Sequence, residues 1–349
     1  MSECAVMETA ASSVPAVRWG ILGTGSIAGL QTADLIANGS TVRAVGSRTM
    51  ASAAEFAARF HIATAHASYE DLVADPDVDV VYVSTPHVFH FENALLALNA
   101  GKHVLIEKPV AMNAAQAGEI VAVAESRGLV ALEAMWTRYL PHMVRIRELI
   151  RSGALGDVRT VIADHSQNLP KDPLHRLNNP LLGGGALLDL GIYPVSLAFE
   201  VFGAPAKIQA SGSMTATGVD RQAAMIFEYR DGQQSLLHCA LDTSGPNRAS
   251  IIGTDGRIEI EPVWYAPSAF TRYDANGHVV ERFDEPVTGR GMQYQAHEVE
   301  RLIASGAIVN DILPLRNSAL IMETMDEVRR QIGLTYEGEG TKRCQERLW

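Results

Sequence analysis

The chain has 349 residues, of which 47% are hydrophobic and 20% charged, and it carries a formal charge of −11 at pH 7. The length exceeds what one core usually fills, so two domains are expected, and the acidic balance offers no cationic surface to a nucleic-acid backbone. Three scattered cysteines, Cys4, Cys239 and Cys344, give neither a disulfide framework nor a metal-ligand spacing, which makes a reducing cytoplasm the default.

Residues 1–16 contain no Lys or Arg and no long apolar run, so they do not read as a signal peptide; their small residues suggest a disordered tail. No uncharged apolar run approaches the roughly 18 residues of a spanning helix. From residue 17 the pattern is regular. "VRWGILG" (17–23) is an apolar strand ending on Gly, and "SIAGLQTADLIANG" is a helix. "TVRAVGSR" (41–48) is a second strand, and "ASAAEFAARF" (51–60) a helix with Phe56 and Phe60 on one face. "VDVVYVSTP" (78–86) is a near-continuous β-branched run of the kind buried on both faces. "HFENALLALNAG" (90–101) is helical, "HVLIEKP" (103–109) a buried strand, and Asn113 with Gln116 resembles a capping box for a helix that stops at Gly128. "LVALEAMW" (129–136) closes the series of strands. This alternation argues an α/β fold with a doubly wound parallel sheet over 17–136.

Past residue 137 the pattern changes. A helix over 142–153 is followed by strand-like runs, "VRTVIADHS", "AKIQASGSMT", "QAAMIFEYR", "QSLLHCALD", "RASIIGTD" and "GRIEIEP". Residues 137–349 therefore read as an α+β domain with a largely antiparallel open sheet, an early helix over 185–203 and two closing helices near 293–305 and 315–332.

The first strand and helix are joined by Gly-x-Gly-x-x-Ala: Gly23, Gly25 and Ala28, with Thr24, Ser26 and Ile27 between them. A glycine pattern alone is weak, but here it follows a strand and opens a helix, as a dinucleotide fingerprint requires. Helix N–H groups then face the pyrophosphate. No acid occurs between Asp34 and Glu55, and Ser47 and Arg48 stand where a ribose-binding carboxylate is usual. A guanidinium binds a 2′-phosphate bidentately, so the expected cofactor is NADP rather than NAD, although Arg48 is also compatible with a plain surface arginine.

Four further stretches carry a resemblance. "AGKHVLIEKPVA" (100–111) contains Glu-Lys-Pro, and "STPHVFH" (84–90), "EAMWTRYLP" (133–141) and "GGGALLDLGIYP" (183–194) accompany it. Together they resemble the oxidoreductase family named for glucose–fructose oxidoreductase and inositol dehydrogenase, in the branch of dimeric dihydrodiol dehydrogenase and NADP-dependent D-xylose 1-dehydrogenase. The resemblance spans roughly residues 17–332; residues 204–292 hold no motif that aligns, which leaves the substrate open.

The resemblance implies that Lys108 lies beside the nicotinamide and the reacting carbon, and that Asp189 and Tyr193 supply a carboxylate and an acid/base. It also implies that Thr85, Pro86, His87, His90 and Glu107 lie against the cofactor. Trp136, Arg138 and His165 would join Asp189 and Tyr193 against a sugar or diol. Tyrosine, with a pKa of about 10, is a poor base at neutral pH, and a nearby Lys108 is expected to lower that value. On spacing alone Asp189, Tyr193 and Trp136 are equally compatible with core residues and Lys108 with a surface turn. His87 and His90 are three apart but lack companion ligands, so no metal is expected. The implied function is an NADP(H)-dependent oxidoreductase of a sugar or vicinal diol, acting as a homodimer or higher homo-oligomer without nucleic acid or membrane. The alternative is a non-catalytic regulator that senses dinucleotide on the same fold.

Overall fold

The computed structural model describes residues 16–336; Cys4, Cys344 and all but the last residue of the tail expected over 1–16 lie outside them. The first layer begins with β1 (Arg18–Leu22), α1 (Ser26–Ala37), β2 (Thr41–Gly46), α2 (Met50–Phe60), β3 (Thr64–His66) and α3 (Tyr69–Ala74). It continues with β4 (Val80–Val83), α4 (His90–Asn99), β5 (His103–Glu107), α5 (Ala114–Arg127) and β6 (Ala131–Ala134). All neighbours pair in parallel in the order β3-β2-β1-β4-β5-β6, the doubly wound arrangement. Its direction of winding reverses between β1 and β4, which places a crevice at the carboxyl ends of these strands. The β-branched run in β4 is buried on both sides: Val80 and Tyr82 enter one core, Val81 and Val83 the other. The short β3 and α3 were not among the expected elements. At α5, Asn113 Oδ1 accepts from Gln116 N (3.0 Å), while Gln116 Oε1 accepts from Met112 N rather than from Asn113 (3.1 Å).

The second layer opens with α6 (Pro141–Arg151), β7 (Val158–Ser166), α7 (Ile192–Phe202), β8 (Lys207–Met214), β9 (Asp220–Glu228) and β10 (Gln234–Ala240). It ends with β11 (Ala249–Gly253), β12 (Gly256–Ile260), β13 (Phe270–Asp274), β14 (Val279–Phe283), α8 (Gln293–Ser305) and α9 (Leu315–Ile332). Eight strands pair in the order β14-β13-β12-β11-β7-β10-β9-β8, antiparallel except for β7 with β10. Val161, Met225, Leu237 and Cys239 turn inward to the core. On the opposite face Ile162, Ile226 and Leu236 remain 44%, 41% and 41% exposed. The same face, with Ala210, His238 and Arg248, lines an open concavity.

The expected boundary at 136/137 falls between the two sheets, yet the chain crosses back over it. The apolar stripe of α8, Ala296, Val299 and Leu302, packs on Trp19, Ile21, Leu35 and Leu105 of the parallel layer. Trp19 Nε1 donates to Glu300 Oε1 (2.8 Å) across that seam. Residues 180–202 are long and apolar enough to cross a membrane by composition, but 89% of that window is buried inside the protein.

Candidate active site

The glycine turn leaves room where a dinucleotide would need it. Gly23 has φ +105°, and a Cβ there would lie 3.1 Å from Ser84 Oγ, so a side chain in this turn is strained and crowded against the end of β4. Gly25 caps α1 without a side chain, and a Cβ added to it would meet nothing within 4 Å. The N–H groups of the first turn therefore face open space flanked by Thr24, Ser26 and Ile27. At the end of β2, Ser47 is buried with its hydroxyl 3.4 Å from that of Thr24, and Arg48 is exposed. Asp34 is committed elsewhere: its carboxylate accepts from the backbone N of Arg290 and Met292. The turn, the uncapped helix end and the Ser47-Arg48 edge fit a dinucleotide carrying a 2′-phosphate.

Across the crevice, Lys108 leaves the end of β5 and meets the helix that carries Asp189 and Tyr193. This helix starts as a π-turn, Leu187–Gly191, before continuing as α7. The wider turn is a local feature frequent at functional sites. Its start is held by Asp220, which accepts from Leu187 N (2.6 Å). Gly191 lets it approach β10, because a Cβ there would come within 2.9 Å of Cys239 Sγ. Lys108 Nζ donates to the carbonyl of Asp189 (2.7 Å) and to its Oδ1 (3.1 Å), and lies 5.1 Å from the centre of the Tyr193 ring. Trp136 Nε1 donates to the Tyr193 hydroxyl (3.0 Å). The hydroxyl thereby keeps its own proton available to a third party.

The charges are set by burial and by one another. Burial pushes the Asp189 carboxyl up, but Lys108, Arg176 and His87 override it and hold it well below the usual carboxylate range. Burial works against the Lys108 ammonium, yet Asp189, Tyr193 and Glu107 raise it above its ordinary value. Burial pushes the Tyr193 phenol up, and the opposing pull of Lys108 and of the Trp136 N–H does not offset it. Lys108 thus pulls in the expected direction, but desolvation is the larger effect, so the net shift is upward and Tyr193 is a phenol at neutral pH.

The remaining expected residues divide. His87 lies inside, with Nε2 3.7 Å from Asp189 Oδ1, and burial drives it well below its ordinary pKa. Thr85 is buried with its hydroxyl accepting from Asn93, and Pro86 is exposed at the crevice edge. Glu107 is buried, bonded to the Tyr82 hydroxyl and to Lys108 N, and burial pushes it up to about 7. His165 stacks on Tyr265 with ring centres 3.6 Å apart and meets the Tyr193 ring edge-on at 5.0 Å. Two expectations are corrected. The His90 ring is fully buried, 2.7 Å from the Thr85 carbonyl and 2.8 Å from that of Pro109, so it ties the two loops together and presents nothing to a cofactor. Arg138 points away from the crevice: Nε donates to Ser196 Oγ (2.9 Å), and the guanidinium pairs with Glu200 at 3.4 Å. A buried guanidinium requires such partners, and α7 supplies them. Among the described residues no group of three His, Cys, Asp or Glu is placed to hold a metal.

Four contributors were not anticipated. Arg176 reaches Asp189 Oδ1 at 3.3 Å, Tyr265 forms the wall behind His165, Tyr82 bonds Glu107, and the Arg290 guanidinium lies 5.8 Å above the Trp136 ring. Arg176 opens a three-residue 3-10 turn and Tyr265 and Arg290 sit in loops, none with a hydrophobic period; the adjacent Trp264-Tyr265 pair is the one visible signal.

Residues 17–134 match the oxidoreductase family with an NAD-binding Rossmann fold, and residues 143–259 match the GFO/IDH/MocA C-terminal domain. The chain belongs to this oxidoreductase family. Trans-1,2-dihydrobenzene-1,2-diol dehydrogenase of Mus musculus is 38% identical over 334 residues, 92% of this chain and 98% of that protein. The NADP(+) D-xylose 1-dehydrogenase of Hypocrea jecorina is 36% identical, over 92% of this chain and 93% of its own length. Among solved structures, a 3-ketoreductase from Actinomadura kijaniata in complex with NADP and TDP-benzene superposes with a TM-score of 0.81. It is 27% identical and covers 91% of this chain and 98% of its own. The first match spans the whole parallel sheet, whereas the second runs from within α6 into β12 and stops short of β13 and β14.

Proposed function

We propose that this family member is an NADP(H)-dependent oxidoreductase moving a hydride between nicotinamide and a hydroxyl- or carbonyl-bearing carbon of a sugar or vicinal diol. The observation that carries it is the Trp136–Tyr193–Lys108–Asp189 constellation facing the uncapped N-terminus of α1 across the crevice. The names of the relatives support the substrate class and the cofactor.

Bound at Gly23–Ile27, Ser47 and Arg48, the cofactor supplies or accepts the hydride. The chain's own residues handle the proton. In reduction, Tyr193 donates its phenolic proton to the carbonyl oxygen, and its retained proton at neutral pH suits it to that role. In oxidation the same oxygen must receive the proton, and the ammonium of Lys108 beside its ring stabilises the phenolate then required. Asp189 holds Lys108 in place through two acceptors. We further propose a homodimer, formed through the exposed Ile162, Ile226 and Leu236 face, working in the cytoplasm.

Reduced-nicotinamide absorbance with NADP⁺, or with NAD⁺, and a panel of pentoses, hexoses and trans-dihydrodiols tests the reading. Turnover with NADP⁺ is expected. Cofactor binding without turnover on any member would favour the dinucleotide sensor instead.

A further inference from the structure

The crevice has two cationic side chains beyond Lys108. Arg176 shares the Asp189 carboxylate, whereas Arg290 pairs with no carboxylate among the described residues. Arg290 is exposed, and its guanidinium lies over the face of Trp136, whose indole N–H holds the Tyr193 hydroxyl. At 5.8 Å from the ring centre the guanidinium is held by the indole face without a carboxylate partner, and its planar N–H fork matches an oxyanion bidentately. Its position is fixed from behind. Arg290 N and Met292 N both donate to Asp34, and the Met292 carbonyl accepts from Gln31, so this loop is fastened to α1. Asp34 is eight residues beyond Ser26, about 12 Å along the axis from the phosphate-facing end of α1. The loop is thus anchored away from the phosphates, while its arginine overhangs the substrate wall.

We infer that Arg290 is a specificity residue that binds an anionic group, carboxylate or phosphate, at the end of a sugar substrate remote from the reacting carbon. The inference rests on the oxidoreductase reading above and narrows its substrate class to acidic sugars. Local charge agrees. Lys108 and Arg176 share the Asp189 carboxylate, with Glu107, pushed up to about 7, as the further acid beside Lys108, and Arg290 adds another positive charge one indole away. An aldose with a charged far end satisfies the guanidinium, and its reacting carbon then reaches Tyr193.

The test compares D-glucuronate, D-glucose 6-phosphate and D-glucose, using the full chain with NADP⁺ and the variants Arg290→Gln and Arg290→Lys. The parent is expected to favour one of the two charged sugars, and which one it favours identifies the anion. In Arg290→Gln the ratio of kcat/KM for that sugar over glucose should fall about 10- to 100-fold, chiefly through KM, as expected for a lost charge-assisted hydrogen bond. Arg290→Lys should recover part of it. An unchanged ratio overturns the inference. A loss of NADP⁺ affinity matching the loss for the sugar also overturns it, by assigning the guanidinium to the cofactor. Calorimetric titration of both charged sugars into the NADPH-loaded protein, which cannot accept a hydride from them, reads the site without oxidative turnover. Should no aldose or diol react, the oxidoreductase reading fails by itself. Arg290-dependent binding of a charged sugar would still support the anion site, and equal binding to parent and Arg290→Gln would sink it.

Discussion

Replacing Tyr193 by Phe removes one oxygen from the centre of the site and leaves the ring. The ring's neighbours, His165 at 5.0 Å, Tyr265 at 5.5 Å and Lys108 Nζ at 5.1 Å, are retained. The direct structural loss is the acceptor of the Trp136 N–H, which becomes a buried unpaired donor worth about 1–3 kcal/mol. The catalytic loss is larger. A general acid/base contributes about 10²- to 10⁴-fold, or roughly 3 to 5 kcal/mol of barrier. Steady-state kinetics with a thermal melt on the same sample separates the two: kcat should fall by that factor while the protein stays folded and NADP affinity shifts only a few-fold. A second signature comes from pH. Burial holds the phenol above its ordinary pKa, so its ionised fraction, and with it oxidative kcat/KM, should rise about tenfold per pH unit from neutrality, a slope the Phe variant loses. A folded variant with near-parental kcat and an unaltered pH slope would refute the assignment and shift the proton-transfer role to Lys108.

Three other expectations follow from particular contacts. Arg48→Asp should weaken NADP more than NAD in a fluorescence titration; equal weakening would remove the 2′-phosphate role from Arg48. Gly191→Ala brings a Cβ within 2.9 Å of Cys239 Sγ and should cost about 1–3 kcal/mol, part of which Cys239→Ala restores; strictly additive melting shifts would count against that contact. Glu107 is raised from 4.5 to about 7, so the native state holds a proton there that the unfolded chain has released. Its contribution to stability is complete below about pH 4.5 and lost as pH rises towards 7, about 3 kcal/mol in all. Glu107→Gln should therefore flatten the decline in denaturant midpoint between pH 5 and 8, and an unaltered decline would show that another group sets it.

The elements with a strong period were legible. The β-branched run of β4, the glycine turn before α1 and the amphipathic patterns of α8 and α9 all stand where the sequence places them. What failed was short, edge-lying or dependent on phase. β3 spans three residues, and β13 and β14 lie at the sheet edge with mixed polarity, so neither period develops. Trp136 and Arg138 share one 3-10 turn, and nothing in their order reveals that one enters the crevice while the other turns to Ser196 and Glu200. The raised pKa of Tyr193 depends on burial by chain segments distant in sequence, a tertiary quantity that spacing does not encode. The motif residues Lys108, Trp136, Asp189 and Tyr193 do lie together, whereas their protonation and the arginines around them needed the fold.

The seam between α8 and the first strand has a consequence during synthesis. Trp19 and Glu300 are 281 positions apart, so the face of the parallel sheet that α8 shields is made long before its cover. At about 5–20 residues per second, roughly 15 to 60 s separate the two on the ribosome. Until α8 emerges, Ile21 and Leu35, joined later by Leu105, form an oily surface on the nascent chain that chaperones or neighbouring polysomes can reach. Slowing translation after β6 should lower the soluble yield of this protein more than slowing it after α8.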